Sequence, residues 1–350
     1  MTLTELAPDS WPGVRILSMD KAAISPVGAF TRFGKRFGKR LGNRLAQTAV
    51  DMVVRRGAAL RTADREAFDR YLNTWRRRYE RLDRPPMAVL AEAEAVRQGG
   101  PGLGAPPPPF ASEWFAPKAG QANGYVFYVH GGSFIAERSP RITALIARFA
   151  AAAQAKVFAP AYRLAPEHPC PAAVEDIVAA YEWFRRVWPD EPVVALAESA
   201  GAAILVAALQ AIKARGGDLP NGVLLLSPWV DLSLQSWSIV AASLAGTTPY
   251  SMTSLALMAQ LYLQGRSPMD PIASPLYGDF DGFPPIMIHA SRDDILYDDA
   301  VRLAERIRLA RGDLTLRLWS GETHVWERME GPASRQSIRL AADFIRRCIE

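Results

Sequence analysis

The stretch Val193-Val-Ala-Leu-Ala-Glu-Ser-Ala-Gly-Ala202 constrains the fold more than any other part of the chain. Four apolar residues run into a cluster of small residues centred on Ser199, and an apolar helix-forming run, Ile204 to Leu209, follows at once. This pattern predicts a buried strand, a sharp turn carrying a serine, and a helix, the layout of a nucleophile elbow. Strand and helix cross closely at such a turn and its serine adopts strained backbone. Side chains two positions before and two after it must therefore be small. Gly201 meets this need, whereas Ala197 brings one methyl where a glycine is expected. Short Ala/Gly/Ser runs are common, so an ordinary strand-to-helix turn is the better reading of the stretch when it is taken alone. The rest of the chain has to decide.

Around this stretch, strands and helices alternate. Apolar, β-rich runs predict strands over 124–129, 156–160, 221–227, 285–289 and 314–318, and helical spacing predicts helices over 140–153, 171–187, 298–311 and 332–349. Alternation of this kind implies an α/β class, a mostly parallel sheet covered by helices on both faces. Residues 232–283 carry no strong strand pattern and read as an insertion that would cap the C-terminal ends of the strands. Residues 62–97 read as helical, with Phe68, Tyr71, Leu72, Trp75 and Tyr79 as an aromatic-rich packing stripe. The glycine- and proline-rich run 99–109 marks a linker, dividing a basic N-terminal segment or cap, 1–109, from a body, 110–350. Residues 1–25 show no usable periodicity.

The net charge of +5 is unevenly placed. Residues 1–100 hold 19 Lys/Arg against 11 Asp/Glu, a surplus of eight, so the remaining 250 residues sum to −3. Phe30, Phe33, Phe37, Leu41 and Leu45 recur at helical spacing among Arg32, Lys35, Arg36, Lys39, Arg40 and Arg44. Two expectations follow for residues 30–61: a cap helix packed on the body by its aromatics, or weak membrane-surface association. No nucleic-acid motif accompanies the basic stretch, and nucleic acid is not expected as a partner. Cys170 and Cys348 form neither a disulfide framework nor a metal-binding spacing, which fits a cytoplasmic setting. No apolar run approaches the roughly 18 residues of a membrane span, and Met1 to Ser10 does not read as a signal peptide.

A serine hydroxyl becomes a useful nucleophile only beside a base, and the base needs an orienting carboxylate. The chain has four histidines: His130, His168, His289 and His324. His324 lies in the loop after the strand 314–318, where a base is required, while His289 sits inside an apolar strand and reads as a core histidine. The strand 285–289 runs into Ser291-Arg-Asp-Asp-Ile-Leu296, with Asp298 and Asp299 beyond. Asp293 and Asp294 are both candidates for the carboxylate, and any one of these acids could instead be helix N-terminal charge. An acyl-transfer intermediate also needs N–H donors for its oxyanion. The glycine-bearing loop His130-Gly-Gly-Ser-Phe134 lets the backbone approach a substrate with its N–H groups turned inward, and Ala200 follows the serine as a third donor. No metal, P-loop or dinucleotide fingerprint is present, and no cofactor is expected.

Over residues 110–350 the chain resembles the bacterial hormone-sensitive-lipase-like carboxylesterases, which have an α/β-hydrolase fold. His130-Gly-Gly-Ser-Phe134 is similar to the family's H-G-G-G-[FW]. Tyr162-Arg-Leu-Ala-Pro-Glu-His-Pro169, with Pro171-Ala-Ala-Val-Glu-Asp176, follows a family signature nearly letter for letter. Ala197-Glu-Ser-Ala-Gly-Ala202 stands for G-D-S-A-G-G, and Asp270-Pro-Ile-Ala-Ser-Pro-Leu276 for D-P-x-x-S-P-L. Asp294-Ile-Leu296 stands for D-P-L, and His324-Val-Trp326, thirty residues after Asp294, for H-x-F.

The resemblance implies a serine carboxylesterase for short-to-medium acyl chains. It assigns the catalytic triad to Ser199, Asp294 and His324, with Asp293 as the fallback acid, and the oxyanion hole to Gly131, Gly132, Ser133 and Ala200. It also implies structural roles for His130 and the loop around His168, and a homodimer through the last strand and closing helix. A large cap would suit a bulky substrate, so a lactone or an acetylated natural product joins simple esters as a small-molecule substrate class. Non-catalytic relatives lose a triad member, and all three are present here. The departures are Ala197 and Ala202 for glycines, Glu198 for aspartate and Ser133 for the third oxyanion-loop glycine.

Overall fold

The computed structural model describes residues 14–19, 64–94, 97–98, 108–117, 122–246 and 248–350. The strands are β1 (Val14–Met19), β2 (Arg97–Gln98), β3 (Ser112–Phe115), β4 (Tyr125–Val129), β5 (Lys156–Pro160), β6 (Val193–Glu198), β7 (Gly222–Leu226), β8 (Ile286–Ser291) and β9 (Leu314–Trp319). They form one sheet in the order β1-β9-β8-β7-β6-β4-β5-β3-β2. All neighbours are parallel except β3, which runs antiparallel to β5 and to β2.

The helices are α1 (Arg65–Leu82), α2 (Met87–Glu94), α3 (Pro140–Ala153), α4 (Ala172–Val187), α5 (Ala200–Ala214), α6 (Trp237–Ala245), α7 (Met252–Leu263), α8 (Tyr297–Leu309) and α9 (Pro332–Ile349). Strand side chains alternate between two cores. Phe127, Val129, Ala195, Ala197, Leu225 and Ile288 join α4, α5 and α8 on one face. Val126, Tyr128, Val194, Leu196, Leu224 and Met287 join α3 and α9 on the other. Burial on both faces is why these strands read as continuous apolar runs in the sequence. α3 starts where Ser139 accepts the N–H of Ile142 and Pro140 takes the first turn. α9 turns Ile338, Ala341, Ala342, Ile345 and Ile349 inward at helical spacing.

Three features differ from the sequence expectation. The helical stretch 62–97 is two helices, because Pro85 and Pro86 lack donors and force extended backbone before them. The short β3 and the two-residue β2 extend the sheet beyond β5, and four residues of Ser-Glu-Trp-Phe carry too little pattern to announce a strand. Residues 14–19, without usable periodicity, form β1 along β9, pairing Val14 with Leu314 through to Met19 with Trp319. This pairing places β1 along the outer edge of β9.

The basic stretch 30–61 and residues 99–107 of the linker lie outside the described residues. Among the described residues, no helix is long and apolar enough to cross a membrane. The described residues of 232–283 hold α6, α7 and a 3-10 turn at Pro275–Tyr277, and no strand.

Candidate active site

β4 and β6 lie side by side in the sheet although β5 separates them in sequence. The chain leaves β4 toward one edge and returns to β6 on the other side, which opens a crevice at the C-terminal ends of both strands. The oxyanion-loop candidate follows β4 and Ser199 follows β6, so the topology alone brings them together.

Ser199 has φ 54° and ψ −129°, the strained turn predicted for an elbow. Its N–H donates to Leu226 O at 2.9 Å and its carbonyl accepts the N–H of Trp229 at 3.1 Å. A β-carbon at Gly201 would stand 2.4 Å from His130 O and 2.5 Å from Val129 O, so only glycine lets α5 leave so close to β4. The methyl of Ala197 is fully buried and accommodated in the core between sheet and helices.

His324 follows β9. Its Nε2 lies 2.9 Å from Ser199 Oγ, and its Nδ1 lies 3.0 Å from Asp294 Oδ2 and 3.2 Å from Oδ1. A carboxylate only accepts, so Nδ1 carries the proton and Nε2 is free to accept from the serine hydroxyl. Asp294 is buried, which by itself would raise its pKa. The His324 ring, the Ser227 hydroxyl and the Leu296 N–H outweigh burial and hold the carboxyl below its ordinary value. Asp293 does something else: its carboxylate accepts the Gly321 N–H and pins the start of the His324 loop. Asp298 accepts the N–H of Ser238 at 2.8 Å, and Asp299 accepts those of Val230 and Asp231 at 3.0 Å, anchoring the segment that leads into α6. Geometry thus separates four neighbouring acids that the residue pattern left open.

The loop after β4 is fixed by the N–H groups of Ile135 and Ala136, which both donate to Gly132 O at 3.1 and 2.9 Å. Gly132 has φ 134°, and a β-carbon there would stand 2.5 Å from Ala136 O. Ser133 adopts φ 54° without being glycine. The N–H of Gly131 donates to Glu198 Oε1 at 2.9 Å, so Gly131 shapes the loop and its N–H is already engaged. Ala200 opens α5, where helix geometry leaves its N–H unused and the helix dipole favours negative charge.

His130 is buried, stacks on Tyr162 at 4.4 Å, and lies 2.6 Å through Nδ1 from Gly131 O. Burial, then the nearby Arg138 charge, pushes its pKa down to about 3, so it is a neutral brace for the loop. Tyr162 adds an O–H donated to His130 O at 2.7 Å. The His168 side chain is exposed and only its N–H takes part in the loop, closing a turn on Leu164 O. His289 is a core histidine as expected, fully buried with Nδ1 at 2.8 Å from Ser337 Oγ.

Other contributions were not visible in the sequence. Arg76, on α1, donates from Nε to Ile135 O at 2.7 Å and from Nη2 to Ala165 O at 2.8 Å, and pairs with Glu167. It ties α1 to the back of the loop after β4, but nothing in the sequence marks it among Arg76, Arg77 and Arg78. Tyr250, between α6 and α7, presents its ring at 85° to His324 with centroids 5.7 Å apart. Trp229, Phe134 and Tyr262 pack together beside the elbow, the last two stacked at 4.1 Å.

The comparisons with known proteins bear on the fold and the family. A family profile described as the α/β-hydrolase fold matches residues 126–328. A protein named acetyl-hydrolase from Streptomyces hygroscopicus is 37% identical over 238 residues, covering 67% of this chain and 79% of that protein. The crystal structure of EstE5 soaked with p-nitrophenyl butyrate is 29% identical with a TM-score of 0.70, covering 79% of this chain and 91% of that one. A hormone-sensitive lipase from a metagenome library is 30% identical with a TM-score of 0.66, covering 75% and 90%. The chain belongs to the α/β-hydrolase-fold family, and its class is that of the hormone-sensitive-lipase-like carboxylic ester hydrolases.

Proposed function

We propose that the protein hydrolyses a small-molecule carboxylic ester of short-to-medium acyl chain through a covalent acyl-enzyme on Ser199. His324 takes the hydroxyl proton through Nε2 as Oγ attacks the ester carbonyl. Asp294 holds the ring in that tautomer and stabilises the imidazolium. The oxyanion is met by the N–H groups of Gly132, Ser133 and Ala200, with Gly131 shaping the loop. His324 then returns the proton to the leaving alcohol, and water repeats the sequence to release the acid. What supports this reading above all is the unbroken line of Ser199, His324 and Asp294 at 2.9 and 3.0 Å, beside a helix N-terminus.

A small acyl group, acetyl in particular, is favoured by the name of the Streptomyces relative. The buried aromatic group of Phe134, Tyr262 and Trp229 beside the elbow points the same way, since it leaves that side filled. This extends the reading to deacetylation of a bulky acetylated product or opening of a lactone on the same three side chains. Hydrolysis of p-nitrophenyl esters across acyl lengths, run beside Ser199→Ala, tests it. Activity highest on acetate and lost in the variant is expected, and a Ser199→Ala enzyme that keeps its activity would overturn it.

A further inference from the structure

We propose that Arg328 is a positioning residue that ties the His324 loop to the oxyanion loop through Glu198. The proposal rests on the serine-esterase reading above and assigns the geometry of that site to an ion pair outside the three reacting side chains. Glu198 is fully buried and immediately precedes Ser199. One carboxylate oxygen accepts the N–H of Gly131, and the other is paired with the Arg328 guanidinium. Arg328 closes the 3-10 turn Trp326–Arg328, four residues after His324, with its N–H on Val325 O at 3.0 Å. Val325 in turn donates its N–H to Ser227 Oγ at 3.2 Å, and Ser227 also bonds the Asp294 carboxylate.

A single carboxylate therefore touches all three pieces that must be in register. It ends the strand that leads into Ser199, holds the first glycine of the oxyanion loop, and anchors the turn that follows His324. A buried carboxylate is tolerated only when paired and hydrogen-bonded, so each partner of Glu198 supports the other. Only glycine fits at 131, since a β-carbon there would stand 2.7 Å from Glu198 O and 3.1 Å from Oε2, so the close approach that brings its N–H to the carboxylate depends on the missing side chain. Loss of Arg328 leaves a buried carboxylate without its counter-charge; the carboxylate reorients, and the oxyanion-loop N–H of Gly131 that it holds is displaced with it. The substrate ground state makes few demands on that loop, whereas the oxyanion makes strict ones.

The test uses the full chain and the variants Arg328→Met, Arg328→Lys, Glu198→Gln and the Arg328→Met/Glu198→Gln pair. Arg328→Met is expected to lower kcat by about 10- to 100-fold with KM within about twofold. Its affinity for a boronic acid, which mimics the tetrahedral intermediate, should fall by the same factor as kcat/KM, while a fluorophosphonate still labels Ser199. Arg328→Lys should recover part of the loss, because an ammonium restores the charge without the planar fork. The double variant should lose no more than the worse single variant. If Arg328→Met does not fold, Arg328→Lys and Glu198→Gln carry the comparison. Unchanged kcat and boronate affinity, a loss confined to KM, or strictly additive effects would overturn the proposal. A fully active Ser199→Ala enzyme would instead overturn the esterase mechanism itself, so the two failures are distinguishable.

Discussion

The carbonyl oxygen of His130 lies 2.4 Å from the point where a β-carbon on residue 201 would stand, so β4 and the start of α5 meet at a glycine. Because the contact is with backbone, neither side can yield by rotating a side chain. Gly201→Ala is therefore expected to lose about 3 kcal/mol or more, or to be insoluble. Ala197→Gly, which restores the residue usual in the family, should instead cost only about 0.5–1 kcal/mol through added chain freedom. Urea unfolding midpoints of the two variants check this, and equal stabilities would contradict it.

The adjacent acids Asp293 and Asp294 give a sharper contrast. Asp294→Asn replaces an acceptor-only carboxylate by an amide whose NH2 can donate to Nδ1, which favours the wrong His324 tautomer and removes the charge that stabilises the imidazolium, and kcat should fall by about 10⁴-fold. Asp293→Asn keeps an oxygen for the Gly321 N–H and should change kcat by less than about tenfold. Steady-state kinetics of the pair decides, and a reversed order would move the acid to Asp293.

Much of the site was legible in the sequence because its chemistry demands rare residue types at strand ends. A serine among small residues, one histidine after the last strand and glycines after β4 leave few choices. Topology did the rest, since parallel strands put all of these loops at one end of the sheet. Two kinds of feature stayed hidden. β1 and β3 are short strands whose identity comes from the neighbours β9 and β5, not from their own pattern. Arg76 and Arg328 are arginines in helical or turn segments, and only the fold shows which carbonyl or carboxylate each one reaches. The choice of Asp294 over Asp293 came from resemblance, because two acids in sequence look alike until the backbone turns them in different directions.

Arg76 gives a prediction about the N-terminal helices. Arg76→Ala removes two charge-assisted bonds to the carbonyls of Ile135 and Ala165, worth about 1.5–3 kcal/mol each before compensation by water. kcat/KM should fall by about tenfold as the loop loses its backing. Limited proteolysis should cut between α1 and α2 faster than in the wild type. An unchanged digestion pattern with full activity would show that α1 does not brace the loop.

Glu327 gives a pH signature. Burial above all, with the charges of Asp294 and Glu198, pushes its carboxyl up to about 7 against the opposing hydrogen bond from Ser337. In the unfolded chain it titrates near 4.5. Between those values the folded state keeps a proton that the unfolded state has lost, so stability declines as pH rises through this window and levels off above it. Glu327→Gln removes the titration. The difference in stability, variant minus wild type, should rise between about pH 4.5 and 7 by on the order of 1–3 kcal/mol and then stay flat. Thermal unfolding of both proteins across that range checks it, and parallel curves would contradict a raised Glu327.

The most direct measurement is capture of the acyl-enzyme. The protein is mixed rapidly with p-nitrophenyl acetate and quenched in acid, and the digested peptides are read by mass spectrometry. A burst of p-nitrophenol with the acetyl group on the peptide containing Ser199, both absent in Ser199→Ala, is the expected result. Ester hydrolysis that survives Ser199→Ala, or an acetyl group carried on another side chain during turnover, would contradict nucleophilic catalysis by Ser199.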